Sequence, residues 1–147
     1  MDSKQALDKL GDISTAINCL IFHTGSEFGE PDENIEYKDS PDDRMMGNEI
    51  YRLLDKLTDI KKRIEYLKKP IIVEGVLRKN ENNYYELISK GKVEKVYHAG
   101  TPIEALIKDD DKLTWEITRV EHNGLDYYLV GNSGVKLEGL KVRIREM

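Results

Sequence analysis

Apolar residues in the first half of the chain recur three and four positions apart. From Ser3 to about Phe22, Ala6, Leu10, Ile13, Ile17 and Leu20 step by four, three, four and three, which keeps them on one face of a helix, like a heptad seam. Gly11 lies inside this run, where glycine costs about 1 kcal/mol relative to alanine, and it marks a place where the first turns could fray or bend. Met46, Ile50, Leu53, Leu57, Ile60, Ile64 and Leu67 repeat the same spacing. This second helix opens at Ser40-Pro41-Asp42-Asp43. Ser40 can cap the free amides, Pro41 suits the first helical position, and the aspartates complement the positive helix end. Pro70 stops it, and Gly47-Asn48 is a point where the helix could restart. The pattern therefore predicts a helical hairpin over residues 1–69, with helices at 3–22 and 41–68 joined by a loop at 24–39. Two matched seams leave two arrangements open. They could cover the rest of the chain, or meet a second copy as a four-helix homodimer.

Beyond Pro70 the period shortens to β-rich runs separated by turn residues. Strands are expected near 71–78, 84–88, 93–97, 103–108, 113–121, 125–131 and 140–145, forming a small all-β domain over 70–147. The spacing suits a meander that closes into a barrel or tight roll, SH3-like in size. The fold class is thus α+β. The first strand has apolar residues on both faces (Ile71, Val73 and Leu77 against Ile72 and Val76) and reads as buried on both sides. Asn123-Gly124 reads as a two-residue type I′ hairpin with positive φ at both positions. That turn would pair Val120 with Tyr127 and Arg119 with Tyr128. Leu113, Trp115, Ile117, Tyr128 and Val130 would then form the core face, and Val120, Tyr127 and Leu129 the mixed outer face. In the last strand, Leu140, Val142 and Ile144 point inward and Lys141, Arg143 and Arg145 outward. Those three cations either guard a sheet edge against aggregation or, with Arg119, grip phosphates.

Charge changes the picture in one place. Between Gly25 and Arg44 stand eight acids against Lys38 and Arg44, a local charge of −6 in a chain whose total is −5. The remainder is close to neutral, so no uniformly basic nucleic-acid footprint exists. The loop either links the helices passively or serves as an acidic arm for a basic partner surface, with Glu27, Glu30, Asp32, Glu33, Glu36 and Asp39 as candidate partner-binding residues. Cys19 is the single cysteine, so it cannot form an internal disulfide and fits a reduced cytoplasmic compartment; beside the first apolar stripe, it reads as a packing residue. The first twenty residues interleave charges with apolar positions, unlike a signal peptide. No run reaches the ~18 apolar residues of a membrane span.

Four ordered segments carry a family resemblance. They are Gly100-Thr-Pro-Ile-Glu-Ala-Leu-Ile, Trp115-Glu-Ile-Thr-Arg-Val-Glu-His, Asp126-Tyr-Tyr-Leu-Val-Gly and Leu137-Glu-Gly-Leu-Lys-Val-Arg-Ile. Together they resemble an uncharacterised domain-of-unknown-function family typical of conjugative elements, plasmids and phages of Gram-positive bacteria, over roughly residues 70–147. The resemblance supplies no catalytic residues; it implies a mobile-element setting.

Direct chemistry is thinly represented. His23, His98, His122 and Cys19 show no metal-ligand spacing. Asp109-Asp110-Asp111 reads as a turn without the spaced oxygens of a calcium loop. No nucleophile elbow, phosphate loop or dinucleotide fingerprint occurs. The expectation is a non-enzymatic protein-binding or regulatory module without cofactor or metal. In the mobile-element setting, its specific version is an inhibitor of a host defence system of the anti-CRISPR kind. The alternative is a small nucleic-acid-binding β-barrel using Arg119, Lys141, Arg143 and Arg145.

Overall fold

The computed structural model describes residues 1–147 and resolves into two compact units, Met1–Lys69 and Pro70–Met147. The first unit is an antiparallel helical pair, α1 (Ser3–Thr24) and α2 (Pro41–Lys68). A capping box starts α1: Gln5 N donates to Asp2 Oδ1 at 2.8 Å and Asp2 N to Gln5 Oε1 at 2.9 Å. Ser40 Oγ caps α2 by accepting from Asp43 N at 3.2 Å, with Pro41 in the first turn. Both helices run unbroken through their glycines. The Lys68 side chain lies over Gly11, and the Tyr37 ring covers Gly47.

The helices bury Ser14, Ile17 and Ile21 of α1 and Leu54, Lys61 and Ile64 of α2, while Leu10, Ile13, Leu20, Leu53 and Ile60 stay exposed. The buried line keeps Ile17 and Ile64 of the expected seams and otherwise lies one residue later, at Ser14, Ile21, Leu54 and Lys61. The apolar stripe is wider than one helix–helix contact, and its second half remains uncovered. Cys19, expected to pack, is exposed.

The second unit is a curled seven-stranded antiparallel sheet, a half-barrel. Its strands are β1 (Ile71–Lys79), β2 (Tyr85–Ser89), β3 (Lys92–Tyr97), β4 (Pro102–Asp109), β5 (Lys112–His122), β6 (Tyr127–Leu129) and β7 (Lys141–Arg145). The order β3-β2-β1-β7-β4-β5-β6 joins two three-stranded meanders through β7. Gly75 makes the tight curl possible, because any Cβ there would run into the Ile88 carbonyl. The inner face carries Leu77, Leu87, Ile103, Ala105, Ile107, Val120, Leu129 and Val142, closed by Tyr85, Tyr97 and Leu137.

Several expectations are corrected here. The β5–β6 pairing is Val120 with Leu129, Glu121 with Tyr128 and His122 with Tyr127, two residues away from the expected register. Asn123 Oδ1 accepts from Leu125 N and Asp126 N at 2.9 and 3.0 Å, so its side chain builds a longer turn in which Gly124 has positive φ and Asn123 does not. Two-residue turns with positive φ at both positions occur instead at Lys90-Gly91 and Asp110-Asp111. An even shift keeps the face assignments, but the core face is the opposite one. Val120 and Leu129 are buried, Leu113 is exposed and Trp115 is half-buried. β1 is buried on one side only, with Ile72 and Val76 exposed.

Candidate partner-binding cleft

The end of α1 and the loop after it form an ordered hollow. Thr24 Oγ1 bonds to Leu20 O at 3.1 Å and Pro31 O at 2.9 Å, while Asn34 N donates to Thr24 O at 3.0 Å. Asn34 Nδ2 adds a bond to Gly25 O at 3.3 Å. These bonds fold the loop back onto the helix end. Gly25 lets it approach, since a side chain there would strike the backbone of Glu30 and Pro31. Ser26 Oγ accepts from Phe28 N at 3.3 Å and Gly29 N at 3.2 Å, a small turn that projects Phe28 outward. Phe28 is 95% exposed and Phe22 80% exposed.

Between α1, this turn and α2 lies an open cleft of about 600 Å³, with Ile21, Phe22 and Phe28 as its apolar lining and Glu27, Lys61 and Glu65 as its charged lining. The Lys61 side chain is only 10% exposed, and Glu65 Oε1 stands 3.9 Å from its ammonium. A neighbouring hollow of about 500 Å³ shares Ile21, Phe28 and Lys61 and continues to Glu30, Tyr51 and Asp55. Two exposed aromatic rings thus stand beside a lining whose carboxylates, Glu27 and Glu65, outnumber its one ammonium, Lys61. No group of three or more His, Cys, Asp or Glu side chains is placed to hold a metal ion.

The six candidate acids divide by their local contacts. Glu30 bonds the Tyr51 hydroxyl and raises that phenol above its usual 10.0. Burial, then the bond from its hydroxyl to Asp32 Oδ2 at 3.0 Å, raises Tyr37 likewise. Asp39 pairs with Arg44. Glu27, Glu33 and Glu36 are exposed and form no salt bridge, and Glu27 lines the cleft itself. The loop is thus hydrogen-bonded along much of its length, with its free charge concentrated in three glutamates.

The four candidate basic residues do not form an exposed row. β7 lies between β1 and β4, so the expected sheet edge is a central strand. Arg143 donates from Nε and Nη2 to Glu104 Oε1, and Arg145 from Nε to Glu104 Oε2 at 2.9 Å. Their side chains are 15% and 11% exposed, around a Glu104 side chain that is 2% exposed. Trp115 lies across the Arg143 guanidinium at 4.3 Å. Lys141 is exposed, and Arg119 Nε bonds Glu121 Oε1 at 3.0 Å rather than sitting beside Tyr128. Sequence reasoning missed Phe22, Phe28 and Lys61 as cleft residues. The available signal was Phe28 itself, a large apolar side chain between Glu27 and Glu30 in an otherwise polar loop.

Residues 75–144 match the family model of a domain of unknown function, DUF5348. That region covers most of the half-barrel, from Gly75 through Ile144, and includes the Glu104–Arg143 pair. The helical unit, with its cleft, lies outside the DUF5348 match. No curated protein and no solved structure matches the chain. No helix is long and apolar enough to cross a membrane.

Proposed function

We propose that this chain is a non-catalytic protein-binding module whose α1–loop cleft takes a basic, apolar segment of a partner protein. The observation that carries the reading is the pair Phe22 and Phe28, almost fully exposed around a cleft edged by Glu27 and Glu65. An exposed phenylalanine forgoes about 1.5–3 kcal/mol of burial, which a partner filling the cleft recovers. Glu33 and Glu36 add a field that draws cationic partners during encounter. Nucleic-acid binding through β7 has less to draw on, because Arg143 and Arg145 are directed at Glu104. With the mobile-element setting that the resemblance implies, the partner is a host protein in the cytoplasm, and inhibition of a defence system is the specific form of this reading.

The test is affinity capture from the native host, with quantitative mass spectrometry. Parent protein runs beside a Phe22→Ser/Phe28→Ser variant and a Glu27→Gln/Glu33→Gln/Glu36→Gln variant. A protein retained by the parent and lost by both variants supports the proposal. Equal retention by all three contradicts it.

A further inference from the structure

The helical unit carries a second uncovered surface, separate from the cleft. In α1, exposed Ile13 and Leu20 immediately precede buried Ser14 and Ile21; in α2, exposed Leu53 and Ile60 immediately precede buried Leu54 and Lys61. Each exposed stripe is therefore turned about 100° in the same sense from that buried edge, with Ile17 and Ile64 buried between the two. In an antiparallel pair, equal offsets of the same sense point to the same side. The stripes form one apolar face, extended by Met46 on α2. A flat, two-helix apolar face with seven-residue spacing (Met46, Leu53, Ile60) is matched by another helical pair of like spacing.

The charges beside the α2 stripe say which helical pair. Asp42, Glu49, Lys56 and Arg63 also stand seven residues apart, one turn before Met46, Leu53, Ile60 and Leu67. A partner α2 running antiparallel, with Leu53 against Leu53, sets Met46 against Ile60. It also brings Glu49 beside Lys56 and Asp42 beside Arg63, on both sides of the two-fold axis. A parallel partner would set each of these charges against its own like. Glu49 already accepts from Arg52 at 2.8 Å, and both residues are exposed, so the contact leaves room for a second cation.

From this we infer that the chain forms an antiparallel homodimer in which the two apolar helical faces stack as a four-helix bundle, with α2 pairing to α2. The inference does not depend on the cleft reading. Light scattering and sedimentation of the full chain across concentration should give twice the 17.0 kDa chain mass. Leu53→Glu should be monomeric over the same range. Because Leu53 is exposed, its helical circular dichroism should match the parent's. Glu49→Lys and Lys56→Glu should each weaken association about three- to thirty-fold, and the Glu49→Lys/Lys56→Glu double swap should restore it. These charge variants alter only exposed side chains and keep the proposal testable if Leu53→Glu misfolds. A parent that stays monomeric at all concentrations overturns the inference. So does a dimer indifferent to Leu53→Glu, or one in which the double swap is weaker than either single reversal.

Discussion

Arg143 gives two hydrogen bonds, from Nε at 2.9 Å and Nη2 at 2.8 Å, to one oxygen of Glu104. Arg145 donates to both oxygens, from Nε to Oε2 at 2.9 Å and from Nη2 to Oε1 at 3.1 Å, so a nearly inaccessible carboxylate is shared by two guanidinium groups across β4 and β7. β7 joins the two meanders, so this cluster sits where the half-barrel is stitched together. Removing only the carboxylate takes their shared anion from two guanidinium groups with little access to water. Glu104→Ala is expected to cost about 3–5 kcal/mol. Urea unfolding of variant and parent checks it, and a loss under about 1 kcal/mol would show that the cluster adds little.

The core face gives an ordered pair of mutations. Leu129 is 0% exposed at the heart of the half-barrel, whereas Trp115 is half-buried under Arg143. Leu129→Ala should cost about 2–5 kcal/mol. Trp115→Ala should cost about 2 kcal/mol, from the lost guanidinium stacking and partial burial. Denaturation midpoints decide it, and the reverse order would mean that Trp115 faces the core.

Gly75 is a backbone-contact position. Gly75→Ala forces β1 away from the Ile88 carbonyl and should cost about 1–3 kcal/mol, without the loss of any side-chain interaction. A thermal scan beside the parent reads this out, and an unchanged midpoint would show that the strands separate freely.

Asp126 supplies the pH dependence. The Tyr127 amide, which donates to Asp126 Oδ1 at 2.8 Å, holds the carboxyl below its ordinary 3.8, with further help from Lys79. A folded-state value below the unfolded one stabilises the fold above pH 3.8, and the gain is lost as pH falls through the folded value. Asp126→Asn should therefore be less stable than the parent at neutral pH, with the gap closing in acid. Because Asp126 is half-exposed, the gap is small and narrows with salt. Stability curves from pH 2 to 7 that stay parallel would contradict the assignment.

Much of the architecture was legible because it rests on strong local signals. Ser40, Pro41 and Pro70 mark the bounds of α2, and β-rich runs between turn residues mark the strands. The register near Asn123 was not legible. The Asn side chain can satisfy two amides and build a longer turn, and sequence alone does not show that choice. Which face of β5 is enclosed was not legible either: both faces carry large apolar residues, and the pairing of β4 with β5 and β7 decides between them. The exposed basic row failed for a topological reason: Glu104 lies about forty residues before Arg143 and meets it only because β7 inserts beside β4. For the candidate site, the acid-rich loop could be read from the sequence. The cleft could not, because Gly25, Thr24 and Asn34 build it through contacts that no spacing announces.

The central claim is that the Phe22–Phe28 cleft binds a basic, apolar segment of a protein. Its most direct test selects short random peptides on the parent chain and measures the affinity of the selected peptides by calorimetry, for the parent and for Phe22→Ser/Phe28→Ser. The account predicts peptides rich in Lys, Arg and large apolar residues, at least tenfold weaker on the variant, since two aromatic anchors are lost. Peptides of any other composition, or ones bound equally by parent and variant, would contradict it.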